Sequence, residues 1–426
     1  MKVLIISHNP ITTYQNMGKT LLALFSSFDK NEICQLYIYP TVPDIDVCHS
    51  YFRVTDRDVL HSFFHFGKIS SRIIRETDID TNDHSIYENE EVATLYMKNK
   101  KSAGTLIGRD MMWTLSHWYT AALKKWLDEE NPTCIFFAPG ESKFIYNIAV
   151  KIAKKRNIPL YTYVCDDYYF VNTPSKIVEK LQLSFLKRRM KRTLTQAKAI
   201  ITICDELANS YHGEFGVATK TIYTGTNYPF VEQPAPFHEI KGFTYMGNLN
   251  CNRFRAIAEF GMALDRLNAK QGSNYRLFLY SPCLTESVKE LFLPIRSICY
   301  CGYVTGQDFE DVLHTPTILL HVEAFDSESI DRVKHSISTK IADSLGSGNL
   351  LFAYGPKQVA SISYLMKNRC AIIATCKEDL DNRIESTLQG NHYESTIKQA
   401  ILTAKENHHS DTNSRFLREV FQFEQK

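Results

Sequence analysis

Apolar residues fall along the chain in short unbroken blocks: Lys2–Ser7, Cys34–Pro40, Cys134–Ala138, Pro159–Val164 and Ala199–Ile203. Blocks of this length, without alternation of polar and apolar positions, predict buried parallel strands. Between them lie segments with helical spacing of apolar positions, at Gly18–Phe28, Trp113–Trp126, from Gly140 to Lys155, and Ser175–Ala197. Strand, helix and strand recur at βαβ spacing, which requires a sheet covered on both faces by helices. Pro229, Pro234 and Pro236 then form a stiff connector. Beyond it the pattern restarts with a strand at Gly242–Met246, a helix over Arg253–Asn268, and strands at Arg276–Tyr280, Ile298–Val304 and Thr317–Glu323. The tail adds a strand at Cys370–Cys376 and three helices, ending at Leu388, over Tyr393–Lys405 and near Asp411–Phe421. Two doubly wound α/β domains are expected, one over 1–228 and the other over 229–408. Asp44–Lys101 reads as polar, aromatic and irregular, and Asp326–Arg332 as a loop.

The most informative stretch runs from His335 to Pro356, HSISTKIADSLGSGNLLFAYGP. Gly346-Ser347-Gly348 gives a helix an end that tolerates left-handed backbone and lets the Leu350–Ala353 strand pack closely. At the other end Ser336, Ser338 and Thr339 are good N-cap types, so backbone N–H groups and the positive helix end face the preceding loop. A diphosphate suits that place. Lys340 adds a cation in the first turn, where the helix dipole disfavours one, and Asp343 follows three residues on. The plain alternative is an ordinary capped helix of an α/β domain.

Composition narrows the choice of partners. Among 426 residues, 49 basic and 47 acidic side chains give a net charge of +2, so nothing in the balance demands nucleic acid. The 11 cysteines are scattered, with only Cys299 and Cys301 close together and no CxxC pair, which points to reduced thiols in a cytoplasmic protein and not to a disulfide or zinc framework. No stretch reaches membrane-spanning length, and the apolar run at the start breaks at Pro10. The helix over 175–197 interleaves Lys187, Arg188, Arg189, Lys191 and Arg192 with apolar residues. It reads either as a peripheral contact with an anionic membrane or as a solvated face over a core stripe.

Three further motifs compete for a chemical role. Thr13 to Thr20 nearly matches a P-loop in the right strand–loop–helix context, but its first glycine is missing, so the loop does not readily wrap a β-phosphate. Asp44/Asp46 and Asp78/Asp80 form two DxD triplets, read as solvated loop acids. His61 and His65 share a helix face without an evident third ligand. No metal site is assigned.

In order along the chain, several of these segments resemble the GT-B glycosyltransferases, especially retaining family four. The His335–Pro356 stretch is similar to that family's nucleotide-binding block. The resemblance implies that Asp343 bonds the ribose hydroxyls; the Glu eight positions upstream that touches the donor sugar in the family is His335 here. "YMGNLNCNRFR" resembles the start of the second domain, implying that Gly247, Arg253 and Arg255 line the donor diphosphate. Gly18 matches the glycine loop after the first strand. Ile158-Pro159-Leu160 with Asp166-Asp167 is similar to the "giP…hD" element, with Cys165 where a His is common.

The resemblance implies two Rossmann-like domains facing a cleft, with a C-terminal helix, 409–426, returning to the first. It implies transfer of a sugar from a nucleotide-diphosphate donor to a hydroxyl of a saccharide, lipid-linked or protein acceptor, with retention, as in bacterial surface polysaccharide or glycoconjugate synthesis. Arg253, Lys340 and the helix end at Ser338 and Thr339 would stabilise the departing diphosphate, and Asp166 and Asp167 would belong to the catalytic cleft. No cofactor beyond the nucleotide-sugar co-substrate is expected, the reaction would be metal-independent, and the place of action would be the cytoplasm or the inner membrane face. The rival readings are a GT-B-fold epimerase, a P-loop nucleotidase, and a non-catalytic relative that binds a nucleotide sugar or a partner enzyme.

Overall fold

The computed structural model describes residues 1–426 apart from 14–15, 65–70, 76–78, 80–102, 172–173, 175, 227, 236–239, 241, 391–392 and 424–426. The chain divides into two compact units, Met1–Ile222 with Asn413–Lys426, and Tyr223–Thr412. Residues 223–228 go with the second unit because the Thr226 N–H donates to the His408 carbonyl at 2.9 Å and its hydroxyl to Asp343 at 2.6 Å.

In the first unit an eight-stranded sheet has the order β4-β3-β2-β1-β5-β6-β7-β8. Its strands are β1 (Val3–Ser7), β2 (Ile33–Tyr37), β3 (Ser50–Arg53), β4 (Arg72–Ile74), β5 (Cys134–Phe137), β6 (Leu160–Val164), β7 (Ala199–Thr202) and β8 (Thr219–Thr221). All neighbours are parallel except β4, which runs antiparallel to β3. β1, β2, β5 and β6 are buried at every position, the consequence of helices on both faces. The helices are α1 (Asn16–Leu24), α2 (Asp56–Phe64), α3 (Ala103–Leu115), α4 (Ala121–Glu130), α5 (Lys143–Arg156), α6 (Ile177–Leu194) and α7 (Asp205–Phe215).

Two expectations for this unit are corrected. The single helix over Trp113–Trp126 is two, because the chain breaks after Leu115 and Thr120 caps α4, its hydroxyl accepting from the Leu123 N–H at 3.1 Å. Part of Asp44–Lys101 is regular: β3 buries Tyr51 and Phe52, and α2 opens with Thr55 and Asp58 bonding each other at 2.7 Å. A polar surround masked β3, whereas α2 is the helix expected to carry His61.

The second unit has six parallel strands in the order β11-β10-β9-β12-β13-β14. They are β9 (Gly242–Met246), β10 (Arg276–Tyr280), β11 (Ile298–Gly302), β12 (Ile318–Val322), β13 (Leu350–Tyr354) and β14 (Ile372–Ala374). Its helices are α8 (Arg253–Gln271), α9 (Glu286–Phe292), α10 (Gly306–His314), α11 (Ser327–Val333), α12 (Thr339–Gly346), α13 (Ala360–Asn368), α14 (Lys377–Gln389) and α15 (Glu394–Asn407). Asp326–Arg332 is thus no loop: Asp326 accepts from the Ser329 N–H at 3.0 Å and starts α11. Gly348, at φ +81°, supplies the left-handed turn between α12 and β13, and a side chain there would strike Val231.

The last helix, α16 (Ser410–Phe423), buries Leu417, Val420 and Phe421 in the core of the first unit. Phe421 lies among Phe28, Phe136 and Tyr161, with ring centroids 6.3, 6.2 and 4.9 Å away. Arg418 forks onto the Glu32 carboxylate at 2.8 and 2.7 Å.

Candidate functional site

Numbered from β9, the strand order of the second unit is 3-2-1-4-5-6, with the reversal between β9 and β12. In open α/β sheets ligands bind beyond the carboxyl ends of the strands at such a reversal. A pocket lies there, lined among others by Tyr245, Asn248, Arg253, His321, Ser338 and Lys340. Gly247 directly follows β9, β12 carries His321 and is followed by Glu323, the first turn of α8 delivers Arg253, and the first turn of α12 delivers Lys340.

Gly247 is the pivot of this arrangement. A β-carbon on it would lie 2.9 Å from the Tyr245 hydroxyl and 3.1 Å from the Lys340 ammonium, so the missing side chain is what lets Lys340 reach the strand end. Tyr245 is held by donating to the Asn248 carbonyl at 2.7 Å. Arg253 is gripped from below: Nε and Nη2 each donate to a Glu323 oxygen at 3.0 Å, with the two side chains 17% and 2% exposed. Its Nη1 points toward Asn248 Oδ1 at 3.4 Å. Burial pushes the Glu323 carboxyl up and Arg253 pulls it back. The bidentate guanidinium is the partner that favours the charged form of the carboxyl against its burial. His321, 3.1 Å from the Ser361 hydroxyl, is pushed down to about 3 by burial and by the charges of Arg253 and Lys340, so it is neutral.

Lys340 differs from Arg253. No carboxylate lies within ion-pair distance of it among the described residues, and burial together with the Arg253 charge pushes its ammonium pKa down. The buried guanidinium is forked onto Glu323, whereas the partly buried ammonium has no ion pair, and only the Asp343 carboxylate, beyond ion-pair distance, offsets part of what burial and Arg253 do to it. The ammonium sits at the start of α12, where the N-cap Ser338 makes no side-chain capping bond. An anion placed there would meet the ammonium, the guanidinium edge and the helix end together.

Of the expected donor-site residues, Gly247, Arg253, Ser338 and Lys340 therefore converge. Thr339, the first residue of α12, is exposed. Asp343 lies one turn further on and accepts from the Thr226 hydroxyl. Arg255 is exposed and turns its guanidinium toward the Phe254 ring at 5.8 Å. His335 is half-buried in the segment between α11 and α12 and does not line the pocket.

The remaining candidates lie in the first unit. Gly18 packs in α1 against Thr12, where any side chain would collide with the Thr12 backbone N at 2.8 Å and the Pro10 carbonyl at 2.9 Å. Asp166 and Asp167 follow β6. Asp166 is exposed, whereas Asp167 accepts from the N–H groups of Tyr169 and Phe170 at 2.9 and 3.0 Å and from the Tyr211 hydroxyl at 3.2 Å, which fixes a turn. Asp44 bonds the Thr13 N–H at 3.0 Å and Asp46 pairs with Lys30 at 2.8 Å, so the first DxD triplet is spent on the loop before α1 and its surroundings. Asp78, Asp80 and His65 lie outside the described residues. Sequence reasoning missed Glu323 and His321. A His inside an otherwise apolar strand and a carboxylate ending it were the available signals.

No family model and no curated protein matches the chain. Solved structures do. An α,α-trehalose-phosphate synthase (UDP-forming) from Burkholderia vietnamiensis aligns at 9% identity over 99% of this chain and 97% of its own, with a TM-score of 0.59. A trehalose-6-phosphate protein from E. coli bound with UDP-2-fluoro glucose aligns at 9% identity over 99% of both chains, with a TM-score of 0.58. The Burkholderia xenovorans synthase in complex with glucose-6-phosphate aligns at 10% over 99% and 100%, with a TM-score of 0.55. The fold is GT-B. At such identity the likeness speaks for the fold alone, and it does not single out family four.

Proposed function

We propose that the protein is a glycosyltransferase that moves a sugar from a nucleotide-diphosphate donor to a hydroxyl, with retention at the anomeric carbon. The observation that carries this reading is the Lys340 ammonium, without an ion pair among the described residues, lining one pocket at the sheet reversal with the Arg253 guanidinium and the α12 N-cap Ser338. In glycosyl transfer the donor C–O bond to the diphosphate breaks and negative charge grows on the leaving oxygen. Preorganised cations and N–H groups stabilise that charge more in the transition state than in the ground state. Arg253 contributes from a fixed position because Glu323 holds it; Lys340 is freer to follow the phosphate.

Three similar structures are described as trehalose-phosphate synthases or bound with UDP-2-fluoro glucose or glucose-6-phosphate, which favours a nucleotide-sugar donor and a saccharide acceptor. A lipid-linked acceptor and a place at the inner face of a membrane are finer parts of the reading, supported by the basic helix α6. Metal independence is a further part, because protein cations occupy the place where a metal would neutralise the diphosphate. The test is release of nucleoside diphosphate from nucleotide sugars. Release that requires an acceptor supports the transferase; conversion of the donor sugar without release supports an epimerase, and binding without either supports a non-catalytic relative.

A further inference from the structure

We infer that the outer face of α6 and the adjoining face of α3 seat on an anionic lipid surface. α6 is apolar on two opposite sides. Its inner stripe, Leu183, Leu186, Met190 and Leu194, is buried. Outward, its first half presents Ile177, Val178, Leu181 and Phe185, which are 74, 49, 50 and 42% exposed. α3 packs against α6 and adds Met111 and Leu115, 60 and 63% exposed, one helical turn apart. A helix that merely covers a core carries polar residues on its water side. An apolar patch shared by two neighbouring helices marks an interaction site.

The occupant is read from charge. From Lys176 to Leu194 the helix carries Lys176, Lys180, Lys187, Arg188, Arg189, Lys191 and Arg192 against the single acid Glu179. After the outward apolar residues, the same side of the helix continues with Arg188 and Arg192. Among the described residues Lys180, Arg188 and Arg192 meet no carboxylate, while Lys191 is shared with Glu214 at 2.9 Å. Lys180, Lys187, Arg188 and Lys191 line a groove of about 280 Å³ beside Tyr169. From α5, Lys143 holds its ammonium 4.7 Å above the Phe185 ring.

Apolar side chains on the outward face of the first half, Arg188 and Arg192 continuing that face, and a cationic groove alongside fit a helix lying at a bilayer interface. The rings and alkyl groups enter the acyl boundary, the Lys and Arg stems reach along it, and the charged heads meet lipid phosphates. No helix among the described residues is long and apolar enough to cross a membrane, so the contact is peripheral. This deepens the membrane part of the proposed function but does not rest on glycosyl transfer: its failure leaves the donor site untouched, and failure of the donor site leaves it untouched.

The test is flotation of the full chain with vesicles of one part phosphatidylglycerol to two parts phosphatidylcholine, against phosphatidylcholine alone. The wild type is expected to partition at least about tenfold better onto the anionic vesicles, and less well as salt rises. Leu181→Gln with Phe185→Gln, and separately Arg188→Glu with Arg192→Glu, are each expected to lower that partition about tenfold or more while thermal unfolding stays at the wild-type temperature. These side chains are exposed, so folding is not the confounder. Absence of wild-type binding, equal binding to both vesicles, or undiminished binding by both double variants would overturn the inference.

Discussion

Removing Arg253 is predicted to do two separable things. Arg253→Ala leaves the Glu323 carboxylate, 2% exposed, without the guanidinium fork that donates to it. Breaking a buried pair from one side costs about 3–5 kcal/mol, most of it the unpaired partner. An alanine that lowers turnover with little effect on folding is therefore predicted for Lys340 and not for Arg253. Replacing both partners, Arg253→Met with Glu323→Gln, removes both charges of the pair and should recover most of that stability. Turnover should not recover: loss of one preorganised donor to a developing anion costs about 2.7–4 kcal/mol, on the order of a hundredfold to a thousandfold. Stability is followed by far-UV circular dichroism in denaturant alongside tryptophan fluorescence. Because Trp113, Trp118 and Trp126 all lie in the first unit, fluorescence reports on that unit and dichroism on both. Turnover is read as nucleoside diphosphate released. A double variant that turns over like the wild type removes Arg253 from the chemistry; an Arg253→Ala variant as stable as the wild type removes the buried pair.

His408 is fully buried between the Tyr364 hydroxyl at 2.9 Å and the Thr224 carbonyl at 2.7 Å, and burial pushes it down to about 4. The unfolded chain binds a proton near pH 6.5 that the folded chain refuses, so stability falls with falling pH, by about 2 kcal/mol between about pH 7 and pH 5. His408→Gln should flatten that slope in denaturant midpoints measured across the range, with His321 still contributing in the same direction; an unchanged slope contradicts the assignment. Phe421→Ala should destabilise the first unit by about 3–5 kcal/mol, read from the tryptophan transition, because three aromatic rings surround a side chain with no exposure; a shift below about 1 kcal/mol would mean that α16 is not part of that core. Exhaustive chelation with EDTA should leave product formation unchanged, whereas activity abolished by chelation and restored by magnesium would assign the diphosphate to a metal.

Much of the fold was legible because burial on both faces of a parallel sheet writes itself as unbroken apolar runs, as in Val3–Ser7 and Leu350–Tyr354. β3 and α11 were not legible. Four residues of strand carry too short a period to detect, and α11 is defined by its Asp326 cap more than by any apolar stripe. At the site, Lys340 was found because a cation in the first turn of a helix runs against the dipole. Glu323 was missed because its meaning depends on Arg253, 70 residues away along the chain. Asp167 illustrates the opposite failure: a carboxylate at a strand end looks chemical in sequence, yet its oxygen is occupied by two backbone N–H groups of its own turn.

The most direct measurement is nucleoside diphosphate release from a panel of nucleotide sugars, with and without saccharide acceptors, by the wild type and by Lys340→Ala. Lys340 has no ion-pair partner among the described residues, so its removal tests the anion site with little disturbance of the fold. Acceptor-dependent release is predicted for at least one donor, reduced on the order of a hundredfold or more in Lys340→Ala at wild-type folding stability. Release that Lys340→Ala sustains at the wild-type rate, or ATP hydrolysis in place of any reaction with a nucleotide sugar, would contradict a diphosphate held at the start of α12.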